Sequence, residues 1–248
     1  MSAIAPLRID IPAFREPTAQ PAYSALKTSP WFSAFPQASL QALAVCSSLR
    51  SFSAGQPVLH ENKPNAFALL VVKGRVRGVK RSEGGREMAL ETRRAGEVLT
   101  DGLLDPDGAV SNDWVAAETS LLLFLPKDEF LAQVRSVPEA ALGLLRDFES
   151  RLNRVKGLAC DLALADVQTR LYRALERLAR EDGEPCPEGT LIRRCPTQQE
   201  IGNEIGACRE TVSRMIAELA RQQLVALKGR SLFISPQFLA RAFVTGAA

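Results

Sequence analysis

The sequence predicts an α+β fold in which an antiparallel β domain is followed by a long helix and by a compact helical unit that ends in a hairpin. Between about residues 50 and 134, short apolar segments alternate with glycines, which is typical of antiparallel strands. Between 145 and 162, apolar residues recur at heptad spacing. From about 191 to 236, the pattern is helix, tight turn, helix and hairpin.

The size and composition of the chain are those of an ordinary globular protein. Its 248 residues, 46% apolar and 24% charged, are enough for two modest domains with cores of their own. No apolar run approaches the roughly 20 residues that cross a membrane. The N-terminal residues lack the basic-then-apolar order of a signal peptide. We therefore expect a cytoplasmic protein that has no membrane partner.

The chemically reactive residues do not form a catalytic or metal-binding pattern. A single histidine, His60, excludes mechanisms and metal sites that need two histidines, and the phosphate-binding glycine motifs are missing from the sequence. We expect no enzyme, no catalytic residue and no metal site. The cysteines are odd in number and lack a C-x-x-C pair, so we expect free thiols at Cys46, Cys160, Cys186, Cys195 and Cys208.

The N-terminal half divides into an arm and a β domain. Residues 1–28 are proline-rich and aperiodic, which predicts a mobile arm, and SLQALAVCSSL predicts a short helix in a domain over 29–137. The predicted strands, which suit an antiparallel barrel or sandwich, are PVLHEN, FALLVVKGRVRGVKR, EMALETRR, DWVAAET and SLLLFLP.

A long helix is predicted over residues 138–164. Its apolar positions follow a 3-4-3-4-3 spacing, which is a narrow coiled-coil seam rather than a broad core face. One interpretation is a helix that packs on its own β domain, but so regular a seam favours a parallel homodimer. The interface residues would be Leu145, Phe148, Leu152, Val155, Ala159 and Leu162.

The C-terminal region, 165–248, has the pattern of a winged helix-turn-helix. A helical stretch, ADVQTRLYRALERLARE, precedes the polar segment EDGEPCPEGT. Thr197 and Glu200 then form a capping box at the start of a short helix, and Gly206 permits a tight turn into the next helix. LVALKGRSLFIS predicts a hairpin that turns at Lys228-Gly229.

The second helix of this unit, within ACRETVSRMIAELARQQ, has two distinct faces. At about 100° per residue, one arc carries Arg209, Glu210, Ser213 and Arg214, while Val212, Met215, Ile216 and Leu219 lie on the opposite side. An amphipathic surface helix explains this pattern in isolation. In a helix-turn-helix, however, the polar arc faces the DNA major groove, where arginine binds guanine and glutamate accepts from cytosine.

The charge distribution agrees with a polyanionic partner. The chain carries a net charge of +3, but residues 191–248 alone contain 8 Lys+Arg against 4 Asp+Glu, a net of +4. The remaining residues, with 23 basic and 24 acidic side chains, are close to neutral. A basic C-terminal unit on a nearly neutral body favours nucleic-acid binding.

The stretch QEIGNEIGACRETVSRMIAEL closely resembles the DNA-binding helix pair of the CRP/FNR superfamily of bacterial transcription regulators. The resemblance covers about residues 30 to 236 and extends diffusely to KGRVRGVKR, the Gly96-Glu97 step and DWVAAETSLLLFLPKDEF. It implies a jelly-roll-like β-roll with a cyclic-nucleotide-binding-like architecture, a dimerisation helix and a winged helix-turn-helix. It also implies a homodimer that regulates transcription at palindromic double-stranded DNA together with RNA polymerase.

The resemblance assigns roles to individual side chains. It implies base reading by Arg209, Glu210 and Arg214, with Ser213 beside them. Further DNA contacts would come from Thr197, Gln198, Gln199, Lys228 and Arg230. For the two glutamines and the two wing cations, solvated surface positions remain an alternative.

The effector pocket that the resemblance implies departs from the pattern of cyclic-nucleotide binders. Ser111 stands where those proteins carry the arginine that holds the phosphate, and Asp101 would repel an anion. We therefore expect no cAMP; the effector is a different one or there is none. The pocket residues would be Gly96, Glu97, Asp101, Ser111, Asn112, Val155 and Lys156.

Two other prosthetic groups are not expected. Residues 1–45 contain no cysteine that could hold an iron–sulfur cluster, and the conceivable haem ligands His60 and Cys46 have ordinary structural explanations. A rival function is a small-molecule or cyclic-nucleotide receptor whose helix-turn-helix mediates protein contacts.

Overall fold

The computed structural model describes residues 19–83, 87–104 and 108–245, with side chains described up to residue 240. The chain forms two compact units. The first comprises Met1–Val76 and Arg93–Leu145, and the second comprises Arg77–Thr92 and Arg146–Ala248. The segment Arg77–Thr92 is thus grouped with the C-terminal helices.

The first unit begins with helices that the sequence predicted only in part. The expected mobile arm is wrong for its last ten residues, which form helix α1, Ala19–Thr28, and bury Ala22, Ala25 and Leu26. The rest of that arm, residues 1–18, lies outside the described residues. A 3-10 turn, Pro30–Phe32, then leads to α2, Gln37–Cys46, which confirms the predicted short helix.

The β domain is confirmed, and its strands pair antiparallel where register is defined. Within the described residues, one sheet has the order β1-β8-β3-β6 and another has the order β2-β7-β4-β5. Side chains from both sheets share a core that includes Leu69, Val76, Trp114 and Phe124. The strands are β1 Ser48–Phe52, β2 Pro57–Leu59, β3 Phe67–Lys73, β4 Arg75–Arg81, β5 Glu87–Arg94, β6 Val98–Leu99, β7 Asp113–Ala116 and β8 Ser120–Pro126.

The prediction of strand texture up to residue 134 is wrong at its end, where Lys127–Ser136 forms helix α3. Pro126 precedes the helix, and Asp128 and Glu129 place negative charge in its first turn, where the helix dipole favours it. Phe130 and Val134, four residues apart, are buried. These signals mark a short amphipathic helix.

Helix α4 runs from Pro138 to Leu164, 27 residues, as the sequence predicted. Arg151 lies on this helix and donates two hydrogen bonds of 3.0 Å each to the Glu91 carboxylate of β5. Further along the helix, Arg154 donates to Glu181 at 2.9 Å. Helix α5, Val167–Asp182, begins at Asp166, whose carboxylate accepts from the Thr169 backbone N–H.

The C-terminal part contains more strand than the sequence predicted. The polar segment after α5 forms β9, Glu184–Cys186, and β10, Gly189–Ile192. They join β11, Val225–Lys228, and β12, Ser231–Ile234, in a sheet of order β11-β12-β10-β9. Helices α6, Gln198–Ile205, α7, Arg209–Arg221, and α8, Pro236–Thr245, complete the unit. Leu171, Ile192, Val212 and Phe238 are among the residues of its core.

Within the described ranges, none of the helices has both the length and the apolar character needed to span a membrane.

Candidate nucleic-acid interface

Helix α7 presents the polar face that its sequence predicted. Val212, Ile216 and Leu219 are buried, with 0%, 5% and 4% of their surfaces exposed. Because they recur every three or four residues, they fix one side of the helix against the core. The residues of the opposite side, Arg209, Glu210 and Arg214, are exposed, and Ser213 is half-buried beside them.

Helix α6 is held by the predicted capping box, which the structure confirms. The Thr197 hydroxyl accepts from the Glu200 backbone N–H at 3.2 Å, and the Glu200 carboxylate accepts from the Thr197 N–H at 2.7 Å. These contacts satisfy backbone donors that a helix start leaves free. Gln199 is exposed and donates to Asn203 at 2.7 Å, while Gln198 is half-buried.

The turn between the two helices depends on glycine at two positions. Gly206 has a φ of +67°, in the left-handed region that suits glycine. Gly202 lies inside α6, where an added Cβ would stand 2.6 Å from the Ala207 carbonyl oxygen. The backbone of the turn therefore approaches α6 so closely that a side chain at Gly202 is excluded.

The wing turns one residue later than predicted. Lys228 pairs with Ser231, so the connecting residues are Gly229 and Arg230 rather than Lys228 and Gly229. Gly229 has a φ of +61°, which glycine adopts without strain. Lys228 and Arg230 are both exposed.

The wing and the two helix starts surround one cavity of about 530 Å³. It brings together five of the predicted DNA-contact residues, namely Thr197, Gln198, Gln199, Arg209 and Arg230. Glu210, Ser213, Arg214 and Lys228 are not among its lining residues. The cavity thus gathers the predicted residues around the start of α7, whereas Ser213 and Arg214 lie further along that helix and Lys228 lies in β11.

The charge of Glu210 is stabilised by the start of the helix. Its pKa lies below the ordinary glutamate value because its own backbone N–H and then the Cys208 thiol donate to the carboxylate, with a smaller contribution from the charge of Arg209. Glu210 therefore projects a stable negative charge between two arginines.

The predicted effector residues of the first unit are engaged in internal hydrogen bonds. The buried Asp101 carboxylate accepts from the Ser111 N–H at 3.1 Å and from the Trp114 indole N–H at 2.8 Å. The Ser111 hydroxyl lies 3.0 Å from both the Asp101 and the Asn112 side-chain oxygens. The structure thus brings Asp101, Ser111 and Asn112 together in one network.

The remaining effector candidates lie elsewhere. Gly96 has a φ of +89° between β5 and β6, and the next residue, Glu97, accepts from the Arg94 backbone N–H at 2.9 Å. Val155 and Lys156 are exposed on α4, in the second unit. These residues do not belong to the hydrogen-bond network of Asp101.

The conceivable haem ligands have other surroundings. His60 lies just after β2, with its Nδ1 3.7 Å from Asp113. The Cys46 thiol donates to the Ala42 and Leu43 carbonyls of its own helix, and burial, together with the charge of Glu129, raises its pKa. The free cysteines in the described part of the chain are those expected, Cys46, Cys160, Cys186, Cys195 and Cys208.

The apolar stripe of α4 is largely open to solvent in the single chain. Leu145, Leu152 and Val155 expose 63%, 53% and 46% of their surfaces. Ala159 is exposed as well, whereas Phe148 and Leu162 are half-buried. Large apolar side chains in a row of this kind are unusual on a monomer surface.

A second groove lies beside α7, and the sequence did not predict it. Its volume is about 930 Å³, and it separates the segment Arg77–Thr92 from the helix-turn-helix. Arg209 and Glu210 line it on the side of the helices. Lys80, Arg81 and Met88 line it on the side of strands β4 and β5, which are called the hairpin below. The basic run in KGRVRGVKR was the available signal, but nothing in that run identifies its neighbour.

Two family models match the chain in the order that the fold shows. The model described as "Cyclic nucleotide-binding domain" matches residues 49–136, and the model described as "Crp-like helix-turn-helix domain" matches residues 169–241. The first covers the strands from the second residue of β1 to β8 and all of α3, and the second covers the helix pair and the wing.

Curated relatives resemble the chain over most of their own length. The "CRP-like cAMP-activated global transcriptional regulator" of Mycobacterium tuberculosis is 28% identical over 185 residues, which are 74% of this chain and 82% of the relative. The "cAMP-activated global transcriptional regulator CRP" of Haemophilus influenzae is 27% identical over 188 residues, 75% of this chain and 83% of the relative. Both relatives are regulators rather than enzymes, and this chain is likewise not an enzyme.

Solved structures share the fold at lower identity. FixK2 from Bradyrhizobium japonicum has a TM-score of 0.71 at 18% identity, covering 82% of this chain and 98% of that one. The c-di-GMP responsive global regulator CLP from Xanthomonas campestris has a TM-score of 0.69 at 20% identity, covering 81% and 99%. With a cyclic-nucleotide-binding-like β domain, a long helix and a Crp-like helix-turn-helix in sequence, this chain belongs to the CRP/FNR superfamily of transcription regulators.

Proposed function

We propose that this protein is a homodimeric, cytoplasmic transcription regulator that reads a palindromic DNA duplex with α7 and acts together with RNA polymerase. The observation that carries the proposal is the division of α7 into a buried apolar side and an exposed side that bears Arg209, Glu210 and Arg214. A helix with its side chains is about 10–12 Å across and fits the major groove, which is about 12 Å wide.

The three charged side chains differ in what they can read. Each arginine can donate two hydrogen bonds to O6 and N7 of guanine, and the glutamate can accept from N4 of cytosine. A carboxylate near DNA phosphates is repelled unless such a contact compensates the repulsion. Glu210 is therefore the residue whose presence argues most strongly for base reading over simple phosphate binding.

The stripe on α4 supports dimer formation. Leu145, Leu152 and Val155 are too exposed in the single chain to serve as its core, and their heptad spacing suits a second copy of the same helix. A parallel pair related by a two-fold axis places two α7 helices in successive major grooves, about 34 Å apart. The preferred site is then a palindrome whose half-sites are one turn apart.

The network around Asp101 supports an effector other than cAMP, or none. Asp101 is a buried carboxylate that already accepts three hydrogen bonds from Ser111 and Trp114. A phosphate placed beside it would meet a like charge at low dielectric, which is unfavourable. The curated relatives named above are called cAMP-activated; the residues of this chain do not favour the same ligand.

Binding-site selection with the purified protein tests the proposal. We expect wild-type protein to select a palindrome, and Glu210→Ala to lose discrimination at one base pair of each half-site by about 5- to 150-fold. Non-specific affinity should hold or rise, because a repulsive charge is removed. Glu218→Ala, on the same helix but near its other end, should select the wild-type site.

A second variant separates base reading from phosphate contact. Lys228→Ala should weaken binding to all sequences alike and reduce the slope of log K against log salt by about 1. If Glu210→Ala returns the wild-type half-site at the same stringency, α7 does not read bases. Weak retention of all duplexes alike by wild-type protein would instead favour a receptor whose helix-turn-helix contacts proteins.

In vitro transcription from a promoter that carries the selected site tests the partnership with RNA polymerase. A protein that acts with the polymerase changes the transcript yield with the site present and leaves it unchanged with the site scrambled. The sign of the change distinguishes activation from repression.

A further inference from the structure

Two partly buried ion pairs connect the segment Arg77–Thr92 to helices of the second unit. The Arg77 guanidinium lies 3.3 Å from the Glu200 carboxylate, and these side chains expose 18% and 21% of their surfaces. On the neighbouring strand, Glu91 receives the two 3.0 Å hydrogen bonds from Arg151. Strand β4 thus contacts α6, and strand β5 contacts α4.

Glu200 takes part in both the cap and this contact. One of its carboxylate oxygens accepts from the Thr197 N–H at 2.7 Å, and the other faces Arg77. The hairpin is therefore attached at the first turn of α6, the helix that supports α7. Its attachment point is a helix start that a capping box holds.

The hairpin forms one wall of the 930 Å³ groove, and two of the candidate base-reading residues, Arg209 and Glu210, belong to the other wall. A helix seated in the major groove has a sugar-phosphate backbone on each side, because helix and groove are of nearly equal width. The hairpin lies on one of those sides, at the start of α7.

Among its described residues, 77–83 and 87–92, the hairpin presents charges of both signs to the groove. Arg81 is paired with Glu87 at 3.0 Å, Arg77 is paired with Glu200, and Glu87 and Glu210 both line the groove. Mixed charges of this kind suit closure of the protein on itself better than an extended contact with phosphates.

We propose that strands β4 and β5, through their described residues 77–83 and 87–92, form a latch that occupies one flank of α7 and weakens DNA binding until the Arg77–Glu200 contact is released. The inference rests on the proposed DNA-binding function and adds a regulatory step to it. Release separates the hairpin from the start of α6 and opens the groove to the DNA backbone. Any event that moves the hairpin is then coupled to DNA affinity.

The sign of one mutation separates a latch from a DNA contact. Loss of an arginine ordinarily weakens DNA binding, because counterion release decreases. Arg77→Ala should instead tighten binding to the selected duplex by about 5-fold or more. Glu200→Gln should act in the same direction, since glutamine retains the capping box while it loses the charge. The double variant should bind no more tightly than either single one, because both remove the same contact.

Fluorescence anisotropy with the selected duplex measures these affinities, and thermal melting checks that each variant is folded. Arg180→Ala is the control, because Arg180 belongs to an exposed pair with Glu176 within α5. It should bind as wild type or slightly more weakly. Folded Arg77→Ala that binds as wild type or more weakly overturns the latch.

Hydrogen exchange supplies a readout that needs no DNA. In free Arg77→Ala, backbone amides within Arg77–Thr92 should exchange faster than in wild type, whereas unchanged exchange overturns the latch. A wild-type protein that selects no duplex refutes the proposed function, and the exchange result then still decides whether the hairpin is held by this pair.

Discussion

Glu210 is a negatively charged residue on a surface that we propose faces DNA, and its local surroundings keep it charged. Hydrogen bonds from its own backbone N–H and from the Cys208 thiol lower its pKa, with help from the charge of Arg209. A lowered pKa means that the carboxylate remains ionised at every pH above that value, and that it loses its charge only when the pH falls below it. Base reading by Glu210 should therefore tolerate mild acid.

We predict that discrimination at the base pair read by Glu210 is constant between about pH 7.5 and pH 5.5, since even an ordinary glutamate titrates near 4.3. Competition anisotropy with duplexes that differ only at that position measures it. Glu210→Gln is the control, because its amide does not titrate and its nitrogen donates instead of accepting. Loss of discrimination in wild type alone within this range would show that Glu210 is protonated in the complex.

Among single residues, local contacts were predictable from the sequence and long-range ion pairs were not. The burial of Val212 and Ile216 and the capping box of Thr197 and Glu200 follow from spacing alone, because they are local. The pairing of Arg77 with Glu200 joins residues 123 positions apart. Surface arginines pair with any carboxylate that the fold brings near, so no local pattern specifies the partner.

At the scale of elements, α4 is the helix whose apolar side lacks a partner among the described residues of a single chain. We predict that Leu152→Glu converts the dimer into a monomer, because two like charges would face each other within the apolar stripe. Size-exclusion chromatography with light scattering measures the mass. Leu104→Glu is the matched control, since Leu104 is 55% exposed and lies outside α4. A stable Leu152→Glu dimer contradicts the assignment of this stripe.

Two helical glycines give a second test at this scale. We predict that Gly202→Ala destabilises the helix-turn-helix, because its Cβ would stand 2.6 Å from the Ala207 carbonyl oxygen. Gly157→Ala on α4 should stabilise the protein by up to about 1 kcal/mol, because an added Cβ there meets nothing within 4 Å in the described structure. Urea unfolding compares them. Equal effects would mean that the close approach at Gly202 relaxes without cost.

The elements that the sequence missed have physical reasons in common. β9 and β10 lie in a segment rich in glycine, proline and acidic residues, and they form strands because β10 pairs with β12 and β9 pairs with β10. Helix α3 begins directly after strand β8, which ends at Pro126. Its buried residues show a single four-residue spacing, which is too short to identify a helix from the sequence. α1 lies in a region whose proline content predicts an aperiodic arm. For β9, β10 and α1, tertiary packing outweighs local preference.

At the scale of the whole molecule, the order of the parts was predictable from the sequence, whereas the long-range contacts between them were not. Strand texture, heptad spacing and the helix-turn-helix are each visible in sequence, and the fold confirms all three. Ion pairs join the segment Arg77–Thr92 to α4 and α6, which are distant from it in sequence. Such contacts become visible only when the chain is folded.

The network around Asp101 leads to a prediction about the whole regulator. We expect isothermal titration calorimetry to detect no cAMP binding at micromolar concentrations, and DNA affinity to be the same with and without cAMP. The physical reason is that Ser111, which the resemblance places at the position of the phosphate-binding arginine, is bonded to the buried carboxylate of Asp101 rather than being a cation. Micromolar affinity would mean that Lys156 or another cation neutralises the phosphate, and would restore cAMP as the effector.

The length of helix α4 sets the orientation of its two faces relative to each other. Its apolar stripe and the arginines that hold β5 and α5 occupy adjacent faces of one rod of about 40 Å. Inserting seven residues into that rod would lengthen it by about 10 Å and nearly preserve both faces, whereas inserting a single residue would turn one end by about 100° relative to the other. Changes in the length of α4 that are close to whole turns, such as a heptad, thus keep the proposed dimer stripe in phase with the DNA-reading surface, whereas a change of one or two residues rotates one relative to the other.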